Sequence, residues 1–422
     1  MAFAIRIAKL IIATSLSFLN QYESVAEESI MGPKQQWVDW DLELTAEPVV
    51  GLSGGKKPSS SSWIQQIKAG LTLGTGIGKE QSNWTELDHW QLKLELNQYT
   101  GNPSLGEQLG TIFPLQTLAI PVGTWITQAA FARKKGAKAF DWSMNAGVIS
   151  VQDRLMGIPA LDNYINYTIN TPYNLSVTGF PINPLVAPGA QIGLHHQKLG
   201  SIDYGYYYLN QTNQIASALG VIPLTPKLQG TLQAIQWSIN PFPQPKEQAN
   251  TIERYPKSTN KATSIQNLPE PLIQIGSYFA STQLDVAETT NSGDGINNGI
   301  FGTVTFPVSF PLGKSHRLWL SGSLSLNPSN NPLSNYAAGG ILSQGVIPER
   351  PQDVLALGIS RSGFSKTITP EKSYEGAIEV NYTIQLTDSL QIQPLMQWII
   401  NPKGTGMIPA IWAAGTQINL SL

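Results

Sequence analysis

The stretch YEGAIEVNYTIQL, residues 374–386, shows the pattern that decides the fold. Apart from Gly376, its even positions are aliphatic or aromatic. The odd positions between them are polar or small, namely Glu375, Ala377, Glu379, Asn381, Thr383 and Gln385. Strict alternation over this length predicts a β-strand with one apolar and one polar face. Because the polar face carries amides and hydroxyls with few charges, it favours a barrel with lipid outside and water inside over a soluble sandwich.

The same alternation recurs along the whole chain and predicts sixteen strands. Besides 374–386 they are 37–45, 63–76, 87–98, 123–133, 139–149, 189–197, 201–210, 229–239, 272–281, 298–309, 316–326, 335–345, 353–364, 390–400 and 412–422. An even number suits a bacterial barrel, in which short turns and longer loops alternate. Residues 240–271 break this alternation, since a long segment stands where a short turn is expected. Either they are an insertion on the turn side, or the strand count is wrong nearby.

The first residues have the features of an export signal. Arg6 and Lys9 form a basic start, residues 10–19 are apolar, and Ser24-Val25-Ala26 resembles a cleavage site. We therefore expect a signal peptide over 1–26 and a single barrel domain over 27–422, with long loops at about 99–122, 150–188 and 240–271. No later apolar run approaches the ~18 residues that a membrane-spanning helix needs. A membrane location therefore requires a closed barrel.

Composition argues against several other classes of protein. Charged residues make up 13% of the chain, about half of their usual share in soluble proteins. The formal net charge of -2 gives no basic surface for nucleic acid. The chain contains no cysteine, so disulfides and thiol nucleophiles are impossible. His195 and His196 are adjacent and would point to opposite faces of one strand, so no metal site is expected, and no cofactor is expected either.

Enzymatic activity is not expected from the candidate acid–base and nucleophilic residues. Glu375 and Glu379 are four residues apart on one strand face, so their carboxyls would lie more than about 10 Å apart at ~3.3 Å per residue. Glycosidase pairs lie only about 5–9.5 Å apart. No G-x-S-x-G motif surrounds a serine nucleophile. We therefore predict that the protein is not an enzyme.

Several short motifs, in this order, resemble the carbohydrate-selective porins of outer membranes, the OprB type. They run from about Trp90 to the end of the chain: NQYTGNP at 97–103, TPYN at 171–174, APG at 187–189, GINNGIF at 295–301, DVLALG at 353–358, YEGAIE at 374–379, and the segment 390–402. The resemblance implies a sixteen-stranded outer-membrane porin that passes sugars and other small polar solutes. It also implies contact with the lipid bilayer and with the outer-membrane assembly machinery, and a possible homo-oligomer.

Two positions depart from the pattern of that family. The chain ends on Leu422, where the assembly machinery usually reads an aromatic residue. Asn145 stands where family members often place an inward basic residue, on the strand that enters the long loop. The terminal Leu422 makes the assembly signal imperfect. Asn145 makes sugar selectivity less certain than pore formation.

Residues on the predicted inner face and in the long loop are the candidate pore-lining or substrate-binding residues. A sugar pore needs polar groups that exchange hydrogen bonds with hydroxyls, and aromatic rings that cover sugar faces. The inner-face candidates are Lys93, Glu95, Asp141, Asn145, Arg317, Glu375, Glu379 and Asn381, and the loop candidates are Arg154, Tyr164 and Tyr167. A plain water-filled lumen, or a loop packed outside the barrel, would remove these specific contacts.

Other functions stay open at the level of sequence. A general porin for ions and inorganic solutes would show the same strand pattern. A soluble secreted β-protein that binds carbohydrate, or a barrel without a pore, belongs to a different class. The prediction we carry forward is a passive outer-membrane diffusion channel with a preference for carbohydrates.

Overall fold

The computed structural model describes the chain in ten segments. They are residues 36–77, 87–120, 122–137, 139–172, 175, 180–209, 228–241, 268–284, 295–367 and 369–422. The predicted signal peptide, 1–26, lies outside the described residues. In these segments, no helix is both long and apolar enough to cross a membrane.

Sixteen antiparallel strands form one closed barrel, in which each strand pairs with its sequence neighbours and β1 pairs with β16. The strands are β1 (Gln36–Ser53), β2 (Ser61–Ile77), β3 (Leu87–Gly101), β4 (Gly123–Ala137), β5 (Phe140–Ile149), β6 (Ala187–His196), β7 (Gly200–Tyr208), β8 (Leu228–Ile239), β9 (Leu272–Leu284), β10 (Gly295–Val308), β11 (Ser315–Ser325), β12 (Leu333–Gln344), β13 (Val354–Phe364), β14 (Tyr374–Gln385), β15 (Leu390–Ile400) and β16 (Ile411–Ser421). Short helices occur only in connections among the described residues: α1 (Leu105–Leu109), α2 (Tyr167–Asn170) and 3₁₀ turns at Val151–Asp153, Pro159–Asn163 and Pro402–Gly404. The predicted sixteen-stranded barrel is confirmed.

The outer face of the barrel is apolar, as the alternation predicts. On β3, Trp90, Leu92, Leu94 and Leu96 are all exposed, whereas Glu95 between them is buried. Equivalent outward rows continue around the ring. An exposed apolar surface of this extent requires lipid, and a closed ring leaves no unpaired strand edge in the hydrocarbon. The alternative of a soluble carbohydrate-binding protein is therefore wrong, because such a protein would not expose an apolar surface of this extent.

Aromatic side chains lie at both ends of the outer face. Trp37 and Trp90 contact each other at one end, with ring centroids 6.4 Å apart. Trp398 and Trp412 stack at the other end, at 5.4 Å and an interplanar angle of 4°. On β7, the tyrosines at 204, 206 and 208 are exposed on the outer face, as expected for a membrane-facing surface. Such aromatic belts mark the two interfaces of a membrane barrel.

The strand order also decides the side on which each connection lies. Residues 242–267 lie outside the described residues, but the strands on either side, β8 and β9, pair with each other, so the strand count is not in error there. The end of β8 and the start of β9 lie at the barrel end that we call the turn end, where the connection 197–199 also lies. Segments 102–122 and 150–186 emerge at the opposite end, which we call the loop end.

The two largest differences from the predicted strand boundaries are in β1 and β4. β1 continues to Ser53 rather than stopping at residue 45, although Pro48 interrupts the alternation. Residues 134–136, expected as a turn, belong to β4. Lys135 Nζ lies 3.5 Å from Asp88, and Lys134 Nζ lies 3.9 Å from Asp141, so carboxylates on neighbouring strands balance these lysines.

Candidate functional site

The inside of the barrel is partly filled by two connections, which we call loop 102–122 and loop 150–186. Apolar side chains of both loops are buried, among them Leu109, Phe113, Leu155 and Leu161. They pack in one cluster with inner-wall residues from several strands, such as Trp319. Burying this apolar surface stabilises the loops in the lumen. The described part of loop 150–186 therefore lies inside the barrel, a question that the sequence left open.

Loop 150–186 is held at the far wall by the carboxylate of Glu379 on β14. The backbone N–H groups of Ile165 and Asn166 donate to its two oxygens at 2.9 and 2.5 Å. Asn381 Nδ2 and Gln397 Nε2 donate to the same carboxylate at 2.6 and 2.9 Å. A carboxylate offers about four acceptor positions, so its capacity is filled. Glu379 has 0% exposed surface and anchors the loop instead of meeting a solute.

Loop 102–122 is held by two further wall carboxylates in the same manner. Glu375 accepts from the backbone N–H groups of Ile112 and Phe113, at 3.0 and 3.1 Å. Glu47 on β1 accepts from Leu118 N at 3.0 Å and from Gln417 Nε2 at 2.7 Å. Hydrogen bonds from N–H groups to a charged acceptor are the strong kind. Glu375 thus also has an anchoring role rather than an open pore-lining position.

A single amide side chain connects the two loops. Gln397 Nε2 donates to Leu115 O of loop 102–122 at 2.9 Å, and its Oε1 accepts from Asn166 Nδ2 of loop 150–186 at 3.1 Å. Asn381 Nδ2 donates to Asn163 O at 2.9 Å on the same wall. The inner face of β14 and β15 is therefore a docking surface for both loops.

Tyr164 fixes loop 150–186 in a notch of the barrel wall. The notch consists of Gly340 and Gly358, which pair across β12 and β13. A Cβ atom on Gly358 would lie 2.6 Å from Tyr164 Cε1, so a larger residue has no room. The Tyr164 hydroxyl donates to Leu357 O at 2.9 Å and accepts from Trp319 Nε1 at 3.1 Å. Its ring is buried against the wall and does not offer a face to a sugar.

The start of loop 150–186 is held by charged side chains. Arg154 Nη2 lies 3.0 Å from Asp203 Oδ1 on β7, and both side chains are buried. Asp153 accepts from Ser150 N at 3.2 Å and from Gln128 Nε2 at 3.1 Å. Burial raises the pKa of Asp153 to about 7 against the lowering effect of these two hydrogen bonds. Arg154 is therefore paired to the wall.

The remaining predicted site residues divide between the wall and the turn end. Glu95 is buried and accepts from Thr127 Oγ1 at 2.6 Å, while Lys93 beside it is half-buried. Asn145 Nδ2 donates to Gln191 Oε1 at 3.3 Å, and Asn145 Oδ1 accepts from no described residue.

Asp141 lies near the turn end beside Lys134. Tyr167 is buried at the start of α2, and Arg317 Nε donates to Pro269 O at 2.8 Å.

One part of the inner wall is left uncovered by the loops and carries charges. Lys68 on β2 lies 2.9 Å from Glu43 on β1, with side-chain exposures of 14% and 13%. Asp41 lies over Gly70, where a Cβ atom would approach Asp41 Oδ1 to 2.2 Å. Asp41 Oδ2 accepts no hydrogen bond from the described residues. This uncovered wall consists of the turn-end parts of the inner faces of β1, β2 and β3, residues 39–43, 68–72 and 89–93, since the loop-end parts contact loop 102–122.

Sequence reasoning missed the anchors and the uncovered wall for different reasons. Lys68 and Glu43 alternate with outward apolar residues, so the strand period alone could have identified them. Glu47 lies beyond the predicted end of β1 and was lost with that boundary. Gln397 carries no charge, and nothing in its own strand shows that two loops reach it. Its role depends on contacts between segments that are 231 and 282 residues apart.

Comparisons with known proteins agree with this geometry. The family model of the carbohydrate-selective porin, OprB family, matches residues 170–422, which is more than half of the chain. No curated protein sequence matches the chain.

Solved porin structures are similar to the barrel. The chain is similar to the high-pH structure of OprB from Pseudomonas putida, with a TM-score of 0.70 and 15% sequence identity, over 92% of this chain and 94% of that one. The low-pH structure of the same protein gives a TM-score of 0.47 at 13% identity, over 92% and 93%. A Rh. blastica porin mutant gives 0.45 at 10% identity, over 91% and 100%. At these identities the similarity concerns the fold.

Proposed function

This chain belongs to the OprB family of carbohydrate-selective porins and is an outer-membrane carbohydrate channel, and we propose that its solutes cross along the uncovered wall of β1, β2 and β3. Loop 150–186 narrows the lumen from the opposite side, and loop 102–122 covers the loop-end part of β1 to β3. The passage then has a loop surface on one side and polar strand residues on the other.

The observation that carries the proposal is the anchoring of both loops on β14. Glu379 and Gln397 hold the loops at the wall far from the strand ends where the loops begin. Loop 102–122 covers only the loop-end part of β1 to β3, so the turn-end part of this wall keeps half-buried polar side chains without a loop cover. A solute path requires such uncovered polar surface.

The uncovered wall has the chemistry that a neutral sugar needs. Thr72 on β2 and Gln91 on β3 are half-buried on its inner face, so a hydroxyl and an amide are open to the lumen. Such groups can form hydrogen bonds to sugar hydroxyls, and each contact is weak enough to release the solute. Among the pore-lining candidates from the sequence, Lys93 belongs to this path.

Liposome swelling with the purified full chain tests the proposal. Glucose should enter channel-containing liposomes quickly, and a linear trisaccharide should enter slowly, because the two loops restrict the lumen. Replacing residues 150–186 with a short Gly-Ser linker should speed entry of the trisaccharide more than entry of glucose.

The matched control is the same linker in place of the exposed turn 309–314. Heat-modifiable migration on gels checks that each variant forms a barrel. Equal trisaccharide rates for the wild type and the loop variant would reject the constriction. Absence of glucose entry would reject the sugar path altogether.

A further inference from the structure

We infer that the channel selects among sugars by charge, and that the uncovered wall and Asp162 form a filter that disfavours anionic sugars. This inference rests on the proposed path along β1 to β3 and adds the class of solute that the path rejects. Neutral and cationic sugars pass it, whereas sugars that carry a phosphate or carboxylate are held back.

Charged groups from two separate parts of the chain meet in this part of the lumen. The wall contributes the ion pair of Lys68 and Glu43, with Asp41 and Glu95 within electrostatic range of the same ammonium. Loop 150–186 contributes Asp162, which is exposed and whose carboxyl interacts electrostatically with Lys68. Strand and loop thus place carboxylates on both sides of the path.

The charges in this region do not balance. Four carboxylates that are exposed or half-buried stand against two ammonium groups, so there is a formal surplus of two negative charges: Asp39, Asp41, Glu43 and Asp162 against Lys68 and Lys93. Glu95 and Asp153 are left out because their carboxylates accept hydrogen bonds from Thr127, Ser150 and Gln128. The ion pair of Arg154 with Asp203 is neutral as a whole and lies against the covered wall.

Such a surplus acts strongly in a narrow pore. Low-dielectric walls focus the field of fixed charges, and surface potentials of several kT are ordinary. A negative potential of about half a kT already favours a monovalent cation over an anion by about threefold. A phosphorylated sugar carries up to two negative charges, so it is disfavoured more strongly than a chloride ion. The effect weakens as salt shortens the Debye length below the pore radius.

Reversal potentials in planar bilayers test the sign of this selectivity. The full chain should show a potassium-to-chloride permeability ratio of about three or more in 0.1 M salt, falling as the salt concentration rises. The measurement is made at pH 8, at which an exposed aspartate such as Asp162 is ionised. A ratio of one or below overturns the inference.

Asp162 is the position at which the filter can be changed without disturbing the barrel. It is exposed on the loop, so Asp162→Asn and Asp162→Lys should fold as the wild type does. The permeability ratio should fall about twofold in Asp162→Asn, which makes the site more positive by one charge unit. It should fall further in Asp162→Lys, which makes the site more positive by two units. The matched controls, Asp388→Asn and Asp388→Lys, alter an exposed turn and should leave the ratio unchanged. Equal effects at both sites would overturn the location of the filter.

Swelling rates for three probes separate this inference from the function on which it rests. Glucose and glucosamine should enter wild-type liposomes at similar rates, and glucose 6-phosphate several times more slowly. Asp162→Lys should raise the glucose 6-phosphate rate by a larger factor than the glucose rate. Equal entry of all three sugars overturns the charge filter and leaves the sugar channel intact, whereas exclusion of glucose itself removes both.

Discussion

Two parts of the inner wall carry carboxylates on the same strand face but use them in opposite ways. On β14, Glu375 and Glu379 are buried, and their oxygens accept hydrogen bonds from loop backbone. On β1, Asp41 and Glu43 meet Lys68 and the water of the lumen. An acidic residue that points inward is therefore an anchor where a loop reaches it and a lumen charge where none does.

This comparison explains how a wide barrel becomes a narrow passage. A sixteen-stranded ring leaves an aqueous channel unless something fills it. Here the filling is asymmetric, since the loops cover most of the inner wall but leave the turn-end part of β1 to β3 uncovered. The position of the passage therefore follows from which inner residues attract backbone N–H groups.

The largest effect is expected from removing the Glu379 carboxylate. Glu379→Ala leaves two loop N–H groups and two side-chain amides without their acceptor. We expect a loss of about 3–5 kcal/mol in unfolding free energy, since each buried unpaired donor costs about 1–3 kcal/mol and entering water returns part of it. Single-channel conductance should rise as the loops loosen. Denaturant titration in liposomes and bilayer recordings measure both.

Glu43→Ala is the matched variant on the uncovered wall. Lys68 remains within range of Asp41 and Glu95, and the pair is partly solvated. We therefore expect a cost of about 1 kcal/mol or less and no increase in conductance. If both variants lost equal stability, the distinction between anchor and lumen charge would fail.

The second effect tests whether the uncovered wall faces water. Leu94 on β3 is 51% exposed on the outer face. Thr72 points inward on β2, one residue away in depth, since Leu71 pairs with Leu94. Leu94→Arg should cost about 2–4 kcal/mol, as for a basic residue near the bilayer midplane.

Thr72→Arg should cost far less, because lumen water keeps the guanidinium hydrated. Denaturant titration of both variants in liposomes gives the comparison. A penalty for Thr72→Arg that matches that of Leu94→Arg would mean that no water-filled passage runs along β2.

The third and smallest effect concerns the notch that receives Tyr164. Gly358→Ala would place a methyl group 2.6 Å from the ring, so the ring has to move. Overpacking of this kind costs about 1–3 kcal/mol. The displaced ring should shift the fluorescence of Trp319, whose indole N–H donates to the Tyr164 hydroxyl.

Gly322→Ala serves as the control on the outer face of β11. Its Cβ atom would meet only Tyr336 O, at 3.3 Å. We expect a change of less than about 0.5 kcal/mol and no spectral shift. A spectral shift in the control as large as that in Gly358→Ala would show that the notch does not fix the ring.

The sequence alone was sufficient for most of the barrel. Alternation with period two identified all sixteen strands, because lipid outside and water inside impose opposite demands on neighbouring side chains. Boundaries failed where a local signal contradicted the period, as with Pro48 inside β1 and the lysines at 134 and 135 in β4.

The inward direction of Glu375, Glu379 and Asn381 was determined by the sequence, but their partners were not. Hydrogen bonds from Ile112 and Ile165 to β14 join segments more than 200 residues apart. No local pattern records such a distance, because the pairing depends on how far two loops reach across a closed ring. The sequence therefore determined which residues face the lumen, and the tertiary structure decided which of them hold the loops and which face the passage.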